Sequence, residues 1–296
     1  MATELIELMN EEFTNTAVPS LEAPQLTVEQ AIENLQGSDL GLRMYAAWWL
    51  GRFRVDNPTA IEVLIRALED DDDRTEVGGY PLRRNAARAL GKLGDRRAVP
   101  ALMAALVCVD FYVREAAAQA LEGLNDPVAI PILIQLLTNQ LPGTLPAPEP
   151  PQLVQPFDAI LEALGTLGSV QAITSGASEA IEVIQPFLDH PVPRIQFSAA
   201  RALYQLSADQ QVADAYGDRL ITALKLDDLQ LRRAVLADLG AIGYLAAAQP
   251  IAETLAENSL KLISLKGLLE KQLQIYGQDP LPAGAIKVMA LMDELL

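Results

Sequence analysis

Arg84, Arg88 and Lys92 follow one another at four-residue spacing, so on a helix they form a single stripe of positive charge. They belong to a segment that holds six basic side chains, Arg83, Arg84, Arg88, Lys92, Arg96 and Arg97. The chain around them is acidic: 22 Lys and Arg stand against 39 Asp and Glu in 296 residues, a net charge of −17. An even spread would place about one basic residue in that segment. Guanidinium groups bind carboxylates through paired hydrogen bonds and also stack on flat rings. Flat rings are close by, since seven of the fifteen aromatic residues fall between Tyr45 and Tyr112: Tyr45, Trp48, Trp49, Phe53, Tyr80, Phe111 and Tyr112. Cations and rings together suit a flat, carboxylate-bearing ligand or an aromatic-rich partner. The plainer reading of the stripe is a solvated helix face.

Other chemistry is sparse. The one histidine, His190, lies between prolines in "LDHPVPR", and the one cysteine, Cys108, lies in "AALVCVD". One of each supplies neither a catalytic triad nor a zinc site, and a single cysteine forms no internal disulfide. Cys108 reads as a core residue of an apolar helix, where burial suppresses the thiolate. "LGKLGD" and "LGTLGS" lack the spaced glycines and lysine of a phosphate loop. The acidic run at 69–73 reads as a solvated loop. The net charge excludes binding along a nucleic-acid backbone and docking on an anionic membrane. No apolar run is long enough to span a bilayer, and the acidic start "MATELIELMNEEF" is neither a signal nor a transit peptide. A reducing cytoplasm is the expected compartment.

The elements that must position these side chains are repeats. The pattern Arg-x-x-Ala-Ala-x-Ala-Leu begins at Arg83 and recurs at Arg114; "LRMYAAWWLG", "FSAARAL" and "LRRAVLADLG" are variants, and "FDAILEALG" is the most altered copy. The anchoring leucines are Leu50, Leu90, Leu121, Leu164, Leu203 and Leu239, spaced as in helical-hairpin solenoids. The arginine, the two alanines and the leucine fall on one helical stripe, the alanines allowing a neighbouring helix to come close. Second apolar helices are expected at 58–70, 96–109, 127–137 and 247–257, with glycines 51, 91, 94, 123, 165, 240 and 243 at helix ends. Thr27 and Gln30 form a capping box before the first copy. The expected fold is an all-α, right-handed superhelical solenoid of HEAT-like hairpins with one continuous core over 27–296. An arm of residues 1–26 precedes it, and insertions near 69–81, 139–156 and 174–179 interrupt it. The arm has amphipathic spacing at Leu5, Ile6, Leu8, Met9 and Phe13.

"YPLRRNAARALGKLGDRRAVPAL" and "DFYVREAAAQALEGLNDPVAIPIL" resemble the repeats of the phycobilin lyases of the HEAT-like (E/F) family, over roughly residues 27–275. The resemblance implies a heterodimer with a second HEAT-like lyase subunit, active on phycocyanobilin as substrate, with no cofactor and no metal. It implies attachment of the bilin through a thioether to a cysteine of the apo-phycocyanin alpha subunit, and association with phycobilisomes. The nucleophile then comes from the acceptor protein, in keeping with a chain that has no good one of its own. Arg83, Arg84 and Arg88 become carboxylate partners for the bilin, and Trp48, Trp49, Tyr80, Phe111 and Tyr112 its ring contacts. Asp110 or Glu115 would bond the pyrrole N–H groups and favour a protonated bilin, although Asp110 also reads as a helix N-cap. The competing function is a non-enzymatic HEAT-repeat scaffold or chaperone for a protein partner.

Overall fold

A computed structural model describes residues 26–72, 74–75, 79–138, 155–170, 176–277 and 280–296. The arm up to residue 25, most of the 139–156 insertion and parts of the other two insertions lie outside the described residues. All regular structure among the described residues is helical. Fifteen α-helices follow in order: α1 Val28–Gln36, α2 Leu40–Arg52, α3 Pro58–Ala67, α4 Pro81–Leu93, α5 Val99–Ala105, α6 Phe111–Leu124, α7 Ile130–Thr138, α8 Phe157–Val170, α9 Gly176–Ile184, α10 Pro193–Leu206, α11 Gln210–Ala223, α12 Leu229–Ile242, α13 Ala248–Glu253, α14 Asn258–Tyr276 and α15 Ala283–Asp293. None of them is long and apolar enough to cross a membrane.

The six anchored repeats form the even-numbered helices from α2 to α12, and these, with α14 after them, pack each against the next. The main contacts between odd-numbered helices are only α1–α3, α7–α9 and α13–α15. A stack that is tight in one layer and looser in the other bends toward the tight one, so the even layer is the inner, concave layer of an α-solenoid. The expected glycines explain the tightness differently from the sequence reading. Gly51 lies in the last turn of α2, and Gly91 and Gly165 lie inside their helices. A Cβ on them would come within 2.6 Å of Ala89 Cα, 2.8 Å of Ala120 Cα and 2.5 Å of Ala202 Cα. Gly51, Gly91 and Gly165 therefore each receive an alanine of the next inner helix, and Gly240, after Leu239, receives Ser264.

Aspartates start many of the helices. Asp39, Asp110, Asp209 and Asp228 each accept a backbone N–H from the first turn of their helix, and Thr27 and Gln30 form the expected capping box. The second helices are shorter than the apolar runs. A 3-10 turn at Arg96–Ala98 precedes α5, another at Pro127–Ala129 precedes α7, and α13 ends at Glu253. Cys108 is therefore not in a helix: α5 ends at Ala105, and the thiol sits half-buried in the following connection.

The core divides into two buried clusters, and the half-buried Leu188 and Tyr216 pack against both. One buried cluster runs from Ala31 to Leu206 and a second from Phe197 to Leu291. They meet on α10, where Ala199, Ala202 and Leu203 face the first and Phe197 and Ala200 the second. The remaining side of α10 is polar, for the reason given below.

Candidate functional site

The side chains two residues before the anchoring leucines stand on the open face of the inner layer. In chain order they are Trp48, Arg88, Gln119, Glu162, Arg201 and Ala237. This series divides the face into two regions.

The first region covers α2, α4 and α6. Trp48 and Tyr45 are about half exposed and stack on each other at 5.6 Å. Tyr112, 56 % exposed, stands at the start of α6 with Phe111 edge-on at 5.5 Å. The Arg84 guanidinium lies 5.8 Å from the Tyr112 ring, and its Nε is buried without a hydrogen-bond partner. Arg88 is exposed and reaches Glu115 only at 4.0 Å. Burial, and after it the charge of Asp158, push the Glu115 carboxyl above the usual carboxylate range, against the opposing pull of Arg88 and Arg84. Glu115 therefore keeps a proton to higher pH than a free glutamate does.

Not every residue singled out in the sequence joins this face. Trp49 points inward, packs on the core and contacts Phe53 at 5.0 Å. Tyr80 is buried, and its backbone N–H donates to Asp110 Oδ2 at 2.6 Å. Asp110 Oδ1 accepts from the Tyr112 N–H at 2.8 Å, so one oxygen caps α6 and the other ties that cap to the residue before α4. Arg83 stacks on Tyr80 at 4.3 Å, donates to the carbonyls of Asp70 and Glu69 and pairs with Asp71. Its repeat mates do the same work: Arg43 bonds the Leu35 carbonyl and Asp70, Arg114 the Cys108 carbonyl, and Arg232 the carbonyls of Leu226 and Leu255. The arginine of the repeat ties its helix to backbone carbonyls of neighbouring segments. Phe111 is half-buried, with the Arg114 guanidinium 5.8 Å from its ring.

The second region, on α8, α10 and α12, was not singled out in the sequence. Arg194, Ser198, Arg201 and Gln205 share one stripe of α10. Arg194 pairs with Glu162 and Asp238 and approaches Asp158 at 3.9 Å. Arg201 pairs with Glu122 at 2.5 Å, Glu162 at 2.7 Å and Asp238 at 3.4 Å. Ser198 Oγ donates to Glu162 at 2.9 Å. Arg201 and Asp238 are buried. Four carboxylates thus share two guanidiniums. Burial, then Asp238, raise the Glu162 carboxyl to about 7 against the pull of Arg194 and Arg201. For Arg194 and Arg201 burial acts downward, yet the surrounding carboxylates raise both guanidiniums on balance. This polar stripe runs along α10 beside the residues that face the two buried clusters. The signal that could have revealed it is the seven-residue spacing of two arginines around Ser198, opposite an acidic residue in an otherwise apolar α8.

Cys108 and His190 are both committed elsewhere. The Cys108 sulfur is 3.9 Å from Arg83 Nη1. His190 Nδ1 accepts the Val192 N–H at 3.1 Å and its ring packs on Phe187 and Phe157. Among the described residues no group of His, Cys, Asp and Glu is arranged to hold a metal ion.

Comparison with known proteins bears on what such a face does. Residues 80–144 match a family model of HEAT repeats, and residues 42–70 match the PBS lyase HEAT-like repeat. The chain is 72 % identical over 273 residues, 92 % of its length and 90 % of the relative's, to phycocyanobilin lyase subunit alpha of Microchaete diplosiphon. It is 63 % identical over 288 residues, 97 % of its length and 100 % of the relative's, to the protein of the same name from Pseudanabaena tenuis. Among solved structures it is similar to a chain in the complex of CpcE and CpcF of phycocyanin lyase from Nostoc sp. PCC7120, with 57 % identity, a TM-score of 0.81, and coverage of 95 % of this chain and 98 % of that one.

Proposed function

The chain belongs to the family of phycocyanobilin lyase alpha subunits, and from that premise we infer that its inner face, over α2, α4 and α6, holds the bilin for transfer. The protein is one subunit of a heterodimeric lyase that attaches phycocyanobilin to a cysteine of the phycocyanin alpha subunit. The observation that carries this is the 72 % identity, held over nearly the full length of both chains, to a phycocyanobilin lyase alpha subunit.

The chemistry asks little covalent work of this chain. The acceptor's S–H adds across the bilin's ethylidene double bond: a C–S bond forms, the double bond becomes single, and the proton goes to the neighbouring carbon. The addition is redox-neutral. The nucleophile belongs to the acceptor protein, and the half-buried Cys108 beside Arg83 has no part in it. The lyase contributes position and electrostatics. Trp48 and Tyr112 offer exposed ring faces to the bilin, while Arg84 and Arg88 offer guanidinium groups to its propionates. Glu115, with its carboxyl raised by burial and by Asp158, lies beside Arg88 and can hold a proton near the pyrrole nitrogens. Trp49, Tyr80, Arg83, Asp110 and Phe111 support the face from behind and from its edge.

The test is co-expression of the chain with apo-phycocyanin alpha and phycocyanobilin, with and without the second HEAT-like subunit. The expected result is a bilin adduct that survives denaturation, formed at full rate only when both subunits are present. Absence of the adduct with both subunits would refute the assignment. Full transfer by the isolated chain would refute the shared active unit.

A further inference from the structure

Four anchored helices of the inner layer are followed, four residues after the anchoring leucine, by a residue of positive φ. After α4 it is Gly94 (φ 76°), after α6 Asn125 (φ 51°), after α12 Gly243 (φ 69°), and after α2 Arg54 (φ 49°). Glycine takes this conformation without strain and asparagine tolerates it, whereas a long side chain with a Cβ does not favour it. Around Arg54 the turn is well held, with the Val55 N–H donating to the Leu50 carbonyl at 3.1 Å. The chain therefore keeps an arginine where glycine would be more stable, and such outliers point to function when the surroundings enforce them.

The Arg54 side chain lines a cavity of about 670 Å³ on the inner face, between the end of α2, α4 and α6. Arg88 and Lys92 line it too, together with Gln119 and the closely packed Gly91 and Ala120. Its lining contains three cations and no carboxylate. Among the described residues neither Arg54 nor Lys92 makes an ion pair, and the sole partner of Arg88 is Glu115 at 4.0 Å. In a chain with 39 acidic residues, three cations from two segments, the turn after α2 and one face of α4, converge on an open volume instead of on counter-charges. Compensation of helix dipoles accounts for a lysine in the last turn of α4. It does not account for an arginine in the left-handed turn after α2, because α4, α6 and α12 end on glycine or asparagine.

We propose that Arg54, Arg88 and Lys92 form a carboxylate-binding pocket that takes a propionate of the bilin, with Arg54 as its specificity-determining residue. The proposal rests on the bilin-holding role of the inner face given above.

The test compares phycocyanobilin with its dimethyl ester, whose carboxylates are masked, by absorbance titration of the heterodimer. Wild type should prefer the free acid by about 10- to 100-fold, the range for one charge-assisted hydrogen bond. Arg54→Gly should reduce that preference about tenfold or more while raising the melting temperature by relief of the left-handed arginine. Lys92→Gln should narrow the preference by a smaller factor. An Arg54→Gly heterodimer that discriminates acid from ester as wild type does would overturn the pocket. Wild type that binds neither form would remove the bilin-holding premise itself, an outcome distinct from the first.

Discussion

Arg88 and Arg201 occupy the same place in their repeats, two residues before an anchoring leucine, and meet opposite surroundings. Arg88 is exposed, 4.0 Å from one glutamate; Arg201 is buried and contacts Glu122, Glu162 and Asp238. The difference arises from the neighbours. On both sides of α4 the facing positions carry Trp48, Gln119 and small residues, which leave a guanidinium free for a ligand. On both sides of α10 they carry acids, which hold it. One inner face thus presents a receptive region toward the N-terminus and a locked region at the centre. The locked region joins two apolar cores through charge, and the receptive region keeps its charge available.

The largest effect that could break this comparison is removal of the central guanidinium. Arg201→Met leaves three buried or half-buried carboxylates without their shared partner and should destabilise the protein by about 3–5 kcal/mol, the range for breaking a buried ion network. Arg88→Gln should cost no more than about 0.5 kcal/mol. Chemical denaturation of the two variants side by side checks both. Equal losses would show that the two regions do not differ in kind.

A smaller effect concerns pH. The folded-state Glu162 carboxyl is raised to about 7 from an ordinary value of 4.5. Between those values the folded chain keeps a proton that the unfolded chain has released. Stability contributed by this group is therefore present at low pH and falls as pH rises through that window, by at most about 1.4 kcal/mol per pH unit. Burial lowers His190, which gives a slope of the opposite sign, so the informative quantity is the difference between wild type and Glu162→Gln. That variant should lose the downward slope between pH 5 and 7 in unfolding experiments. Parallel profiles would place the shared proton elsewhere.

Much of the fold was legible because periodicity survives in the alanines and leucines, which do the packing: the repeat register placed all six anchored helices. Less legible were the features that depend on two helices at once. Gly51, Gly91 and Gly165 read as helix ends until the alanine opposite each is known. The ion network is dispersed over Glu122 to Asp238, with no local cluster to notice. The meeting of the two buried clusters on α10 was equally hidden. Within the receptive region, Arg84, Arg88, Trp48 and Tyr112 stood out by spacing and composition, and Glu115 only through the family resemblance. Arg83 and Asp110 looked similar in sequence, yet the structure shows them holding backbone groups of the loop and of α6. Arg54 was invisible to pattern, since only backbone geometry reveals its conformation.

The central claim is that the receptive region serves the substrate and not the fold. It is tested most directly by Arg84→Gln, Arg88→Gln in one chain, co-expressed with the second subunit, phycocyanobilin and apo-phycocyanin alpha, with transfer and melting recorded on the same preparation. The expected result is a melting temperature near wild type, an intact heterodimer, and loss of most bilin transfer, in keeping with the one to two decades of affinity carried by a charge-assisted carboxylate contact. Normal transfer by the double variant would contradict the account and return the basic stripe to a solvated helix face.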